Sequence, residues 1–97
     1  MRIIALSTLR DFWEKRPDAE TSLRAWHALA SRSDWSTPAD IKAAYRSASF
    51  TADNRVVFNI KGNDYRLVAA VRYEKGLMYI RFIGTHREHD KIDVETI

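Results

Sequence analysis

The sequence predicts a small α+β domain in which helices pack on one face of a mainly antiparallel sheet. Two observations carry this prediction. The first half of the chain repeats apolar residues at helical spacing, whereas residues 55–84 alternate between apolar and polar with a period of two. A chain of 97 residues can build one hydrophobic core but not two, so we expect a single domain over residues 1–97.

The N-terminal region predicts one strand and two helices. The apolar, β-branched run RIIAL at residues 2–6 is typical of a strand. A helix is expected next, with Ser7 or Thr8 as its N-cap, and Pro17 should end it. Asp18 is then a suitable N-cap for a second helix with an apolar stripe along one side.

A third, short helix is predicted from the segment TPAD. Thr37 can cap it, Pro38 suits its first position and Asp40 suits its first turn. We expect this helix to end near Arg46 and to be followed by a loop with the sequence SASFTADN.

The last half of the chain predicts three consecutive strands. Residues 55–61, 65–73 and 77–84 show period-two alternation, and the short connections GND and EKG carry glycines suited to hairpin turns. Because hairpins join neighbouring antiparallel strands, these runs predict a three-stranded meander.

Alternation also predicts two faces for this meander. The face expected to carry the helices has the apolar residues Val56, Phe58, Ile60, Tyr65, Leu67, Ala69, Val71, Tyr73, Met78, Ile80 and Phe82. The opposite face, here called the open face, gathers Asn59, Lys61, Arg66, Arg72, Tyr79 and Arg81 and no carboxylate. Exposed cations usually alternate with acids across strands, so this set favours a polyanionic ligand. Equally, such cations can simply keep a sheet face solvated and discourage edge pairing.

Composition narrows the class of protein. The formal net charge is +3, and the positive charge is concentrated after residue 54. The absence of cysteine excludes disulfides, thiolate metal sites and cysteine nucleophiles. No apolar run reaches the roughly 20 residues of a membrane span, so we expect a cytoplasmic protein without a membrane partner.

The segment GTHREHD follows the last predicted strand and contains two histidines. Thr85 and Glu88 have the spacing of a capping box, which predicts a short helix there. His86 and His89 then share one side of the helix. A metal site is a weak interpretation because two histidines need a third ligand. Acid–base chemistry beside the cations and a purely structural role are the other two interpretations.

Together, VVFNIKGNDYRLVAAV and YIRFIGTHREHDKI resemble the HigB family of toxins from type II toxin–antitoxin modules, within the RelE-like ribonuclease superfamily. The resemblance implies a RelE-type fold, cleavage of mRNA on the ribosome without a cofactor, and neutralisation by a helix-turn-helix HigA-type antitoxin that also binds operator DNA. Relatives commonly carry tyrosine where this chain has His89.

Cleavage of RNA by its own 2′-hydroxyl requires a base, an acid for the leaving oxygen, and cations on the phosphate. The candidates for this chemistry are Arg66, Arg81, His86 and His89. The candidates for contact with RNA are Asn59, Lys61, Arg72, Tyr79 and Arg87. The alternative hypothesis is a non-catalytic RNA-binding module, or a degenerate toxin, that uses the same basic face.

Overall fold

The computed structural model describes residues 1–97 as one α+β unit. The elements are β1 (Arg2–Ile4), α1 (Leu6–Lys15), α2 (Glu20–Arg32), α3 (Pro38–Ala44), β2 (Ser49–Thr51), β3 (Arg55–Ile60), β4 (Tyr65–Arg72), β5 (Leu77–Thr85) and α4 (His86–His89). The strands form one sheet in the order β1-β5-β4-β3-β2, in which only β1 runs parallel to its neighbour. The predicted fold class and the C-terminal meander are therefore confirmed.

The hydrophobic core lies between the helices and one face of the sheet. Phe58 of β3 is at its centre, with ring centroids 5.3 Å from Trp26 of α2, 5.3 Å from Tyr45 and 6.5 Å from Trp35. Edge-to-face and offset ring pairs of this kind add to the free energy gained from burial. The core fixes the sheet against α2 and the loop before α3, and it leaves the open face for function.

Two of the predicted helix starts are wrong. Helix α1 begins at Leu6, and its N-cap Ala5 has a left-handed backbone (φ 72°) with no side-chain cap. Helix α2 begins at Glu20, and Asp18 lies before it in a 3-10 turn without capping it. The capping box of α3 is present as predicted, since Thr37 accepts from the Asp40 main-chain N–H.

Strand β2 was not predicted, because SASFTADN reads as a loop. Ser49–Thr51 pairs antiparallel with β3 and forms the edge of the sheet. The reversal is made by Asp53 and Asn54, whose φ angles are 61° and 58°. Aspartate and asparagine tolerate this left-handed region better than most residues, which allows a tight turn without glycine.

A β-bulge at Arg81 changes which side of β5 faces the core. Ala69 pairs with Ile80 and Val68 pairs with Phe82, so Arg81 has no partner in the ladder. The extra residue reverses the alternation beyond it. Phe82 therefore lies on the open face with Val68, whereas Ile83 packs against the core. Alternation along the sequence predicts Phe82 on the face with the helices and Ile83 on the opposite face, and both predictions are wrong.

The segment after α4 runs along the open face. It starts at α4, which packs against β4 and β5, and at its far end Arg55 of β3 donates to the Ile97 carbonyl. Beneath it, Val57, Val68 and Ala70 are buried although they lie opposite the helices. The middle of the open face is thus an apolar strip that is covered from solvent.

Candidate nucleic-acid interface

Most of the cations predicted for the open face lie there, and one of them does not. Arg66 and Asn59 pair across β3 and β4, and Arg72 and Tyr79 lie on the same side of the sheet. Lys61 lies elsewhere, because its backbone is left-handed (φ 53°) at the start of the turn. Its predicted position on the open face is wrong.

Lys61 instead forms part of a polar cluster on the helix side of the sheet. Its Nζ lies 2.9 Å from Asp18 Oδ2, and Asp18 also accepts from the buried Tyr65 hydroxyl at 2.7 Å. Hydrogen bonds from Lys61 and Tyr65 lower the pKa of Asp18, and the bond to Asp18 raises the pKa of Lys61. The cluster ties the β3–β4 turn to the segment between α1 and α2.

Helix α4 places the two histidines at the end of the open face that contains Arg66. Thr85 Oγ1 accepts from the Glu88 main-chain N–H at 3.1 Å, and Glu88 Oε1 accepts from the Thr85 N–H at 2.8 Å. This predicted capping box is therefore confirmed. It fixes the direction in which a helix of only four residues leaves β5.

The two histidines differ sharply in environment. His86 is 56% exposed, and its Nδ1 lies 3.6 Å from Asp90 Oδ2. The His89 side chain is only 20% exposed, and neither ring nitrogen has a hydrogen-bond partner. Its ring lies 6.3 Å from the Phe82 ring, which the bulge has turned to this face. The apolar neighbour thus shields His89, and Asp90 Oδ1 lies 3.8 Å from its Nδ1, beyond hydrogen-bond distance.

The electrostatics of His89 favour a neutral imidazole. Burial lowers its pKa from the usual 6.5, and the positive charge of Arg66 lowers it further, while Asp90 acts in the opposite direction. Arg66 donates only to main-chain carbonyls of the turn and has no carboxylate partner. A proton acceptor and an unneutralised guanidinium are therefore neighbours, as attack by a hydroxyl on a phosphate requires.

A second basic region lies at the other end of the open face, beyond the covered strip. It is a cavity of about 560 Å³, here called the arginine cavity, and it is lined by Asp53, Asn54, Arg55, Arg72, Tyr79 and Arg81. Arg81, predicted as a phosphate stabiliser beside the histidines, lines this cavity, with its guanidinium carbon 5.5 Å from the Tyr79 ring centre. Arg87 is exposed on α4.

Arg55 is a member of this region that the sequence did not single out. In β3, Arg55 pairs with Ala70 and so shares the side of the sheet that carries Arg66 and Tyr79. Alternation could have predicted this position, because Arg55 stands two residues before Val57 and residues two apart in a strand lie on the same side of the sheet.

Two further classes of site receive no support from the arrangement of side chains. No three His, Cys, Asp or Glu residues are close enough together to form a candidate metal site. None of the helices has the length and apolar character that crossing a bilayer would require.

Comparison with known proteins identifies the family. A family model described as HigB toxin, the RelE-like toxic component of a toxin–antitoxin system, matches residues 19–92. The chain belongs to this HigB family. It is 35% identical over 92 residues to the mRNA interferase toxin HigB of Escherichia coli K12, covering 93% of this chain and 88% of that protein. The mRNA interferase HigB of Escherichia coli O6:H1 is 24% identical over 94 residues, covering 95% of this chain and 91% of the relative.

Membership of the HigB family makes the chain a RelE-like toxin component, as the resemblance implied. The matched residues include β3 to β5, α4 and both histidines. The region of the open face that contains Arg66 and His89 thus lies within the part of the chain that defines the family.

Proposed function

We propose that this HigB-family chain is an endoribonuclease that cuts mRNA through attack of a 2′-hydroxyl on the adjacent phosphate. The observation that carries the proposal is the shielded His89 imidazole, with both nitrogens unpartnered, beside the free charge of Arg66. The names of its relatives, mRNA interferases, support the same activity and its substrate.

His89 is proposed as the base. Its lowered pKa keeps the ring neutral near neutral pH. Both ring nitrogens are buried, so the ring accepts the 2′-hydroxyl proton only after RNA binding has opened a path to one of them. The 2′-oxygen then bonds to phosphorus while the bond from phosphorus to the 5′-oxygen breaks, which yields a 2′,3′-cyclic phosphate and a 5′-hydroxyl. Arg66 stabilises the added charge on the phosphate oxygens through paired N–H donors.

His86 is proposed as the acid that gives the leaving 5′-oxygen its proton. It is exposed at the start of α4, three residues from His89, and Asp90 is near enough to orient its ring. Asn59, Arg72, Tyr79 and Arg87 are proposed contacts to RNA. Arg81, expected beside the histidines as a stabiliser of the cleaved phosphate, is proposed instead to hold a neighbouring phosphate from the arginine cavity. A contact from Lys61 would require its ion pair with Asp18 to open.

The partners proposed for this chain are those that the resemblance implies. The mRNA is expected to be cut on the ribosome in the cytoplasm, where fixed positioning of the substrate can supply a large part of the rate. A HigA-type helix-turn-helix antitoxin is expected to bind and neutralise the toxin, and to link it to operator DNA.

The test is cleavage of a defined mRNA in a translating extract, mapped by primer extension. His89→Gln should slow cleavage by about 10²–10⁴-fold, the usual contribution of a positioned base. His27→Gln is the matched control, because His27 lies on α2, on the other side of the sheet. Replacing the attacking 2′-hydroxyl by hydrogen at the cleaved nucleotide should abolish the reaction.

Two results would count against this assignment. Unchanged cleavage by His89→Gln would remove His89 from the chemistry. RNA binding without cleavage by the unmodified chain would favour the alternative, a non-catalytic RNA-binding module or a degenerate toxin.

A further inference from the structure

The arginine cavity lies apart from the histidines along the sheet. Ala70 forms part of its lining and stands four residues along β4 from Arg66, which corresponds to roughly 13 Å at the rise of a strand. The covered strip of Val57 and Val68 lies between the two regions. A phosphate held beside His89 therefore cannot also fill the arginine cavity.

Charge in the arginine cavity is unbalanced. Three arginines, Arg55, Arg72 and Arg81, line it with a single carboxylate, Asp53, and neither Arg72 nor Arg81 forms an ion pair. Arg55 is held by the main-chain carbonyls of Asp53 and Ile97, while its Nε is buried without a partner. Three positive charges against one negative charge leave the cavity with an excess of positive charge, so an anion that enters is attracted.

The shape of the arginine cavity suits a nucleotide better than a bare anion. Tyr79 is half-buried in the wall, and Arg81 lies over its ring, which forms a flat surface of aromatic and guanidinium groups. Unpaired bases stack on such surfaces, and guanidinium groups bind phosphate through two N–H donors. A volume of about 560 Å³ can contain a base together with its phosphate.

We propose that the arginine cavity is a second RNA site, which binds the phosphate and base of a nucleotide a few positions from the one that is cut. This inference rests on the proposed function for the identity of its ligand. The ligand chemistry is that of single-stranded RNA, whose source is either the mRNA substrate or ribosomal RNA.

The test measures binding, so it does not depend on cleavage. A fluorescent single-stranded oligoribonucleotide is titrated by fluorescence anisotropy over a series of salt concentrations, with all variants in a His89→Gln background that keeps the RNA intact. Arg72→Gln removes an exposed cation of the cavity that has no protein partner. Arg32→Gln removes the same charge from the last turn of α2, on the helix side, and is the matched control.

Arg72→Gln should weaken binding several-fold and reduce the slope of log K against log salt by about 0.7, the value expected when one phosphate of a single strand is no longer neutralised. Tyr79→Leu should weaken binding without changing that slope, because stacking releases no counterions. Circular dichroism of each variant checks that the fold is kept.

A second arm sediments each variant with empty ribosomes. If Arg72→Gln weakens only this association, the RNA in the cavity is ribosomal. If it weakens oligonucleotide binding, the substrate strand is the source. If Arg72→Gln and Tyr79→Leu match Arg32→Gln in affinity and salt slope in both arms, the proposed RNA site is wrong, whether or not the chain cleaves mRNA.

Discussion

Replacing Gly84 by alanine tests whether Phe82 sets the position of His89. Gly84 lies on the open face of β5, and a Cβ atom there would lie 2.6 Å from Phe82 Cζ and 3.0 Å from Glu88 Oε1. The first distance is about 0.8 Å inside the 3.4 Å at which ordinary contacts begin. The Phe82 ring must therefore move, and because it packs against His89, the imidazole moves with it.

The size of the effect follows from this overlap. Overpacking usually costs about 1–3 kcal/mol, and a partly exposed ring can yield, so we expect about 1–2 kcal/mol for Gly84→Ala. For a domain of this size, that cost corresponds to a decrease in Tm of roughly 4–16 °C. Displacing the proposed base by close to 1 Å should slow mRNA cleavage by up to about 100-fold.

A double-mutant cycle provides the assay. Urea unfolding and cleavage are measured for Gly84→Ala, Phe82→Leu and the double variant. Leucine lacks the Cζ atom, so alanine at Gly84 should cost less than about 0.5 kcal/mol in that background. If alanine costs the same in both backgrounds, Phe82 is not the obstacle, and the steric link from Gly84 to His89 is refuted.

Three further predictions concern stability and are measured by urea unfolding. The folded state lowers the pKa of His89, so the unfolded state binds more protons below pH 6.5 and the stability should fall as the pH drops below that value. His89→Gln should remove this dependence. The pKa of Asp18 is lowered in the folded state, so its contribution to the free energy of unfolding should be present above pH 3.8 and lost as the pH falls below that value. Asp18→Asn should abolish this loss, and an unchanged loss of stability in acid would contradict the argument. Phe58→Leu removes a ring that pairs with three other rings, and at about 0.5–1.5 kcal/mol for each pair the loss of stability should total about 1.5–4.5 kcal/mol. Phe82→Leu should cost clearly less. Equal costs for the two variants would disprove this ranking.

The sequence was informative about the fold wherever a pattern is local. Period-two alternation predicted β3, β4 and β5, and the capping boxes at Thr37 and Thr85 predicted where α3 and α4 begin. The start of α1 was not predictable in this way, because it depends on a left-handed Ala5, a conformation that alanine rarely adopts and that no motif announces.

Errors in the candidate site have two physical causes. The turn begins at Lys61, one residue before Gly62, so the lysine leaves the strand and reaches Asp18 on the other side of the sheet. The bulge at Arg81 exchanges the sides of Phe82 and Ile83, and no glycine marks it. Both effects involve other segments of the chain, and the pattern of residues along one strand carries no information about such contacts.

The histidine pair illustrates the same limit. The spacing of GTHREHD correctly predicted a capped helix after the last strand. It could not show that His89 is the shielded ring and His86 the exposed one, because the shield is Phe82, which was expected in the core. The difference in exposure between the two histidines therefore depends on the bulge.

The bulge also means that removing Arg81 and replacing it are different experiments. A substitution changes one side chain, whereas a deletion removes the unpaired residue and makes β5 a regular strand. Ile80 would still pair with Ala69 and Phe82 with Val68, so Phe82 and Ile83 would keep their sides of the sheet. A homologous toxin whose last strand is one residue shorter at this point should therefore keep the counterparts of Phe82 and His89 on the open face and lack only the arginine.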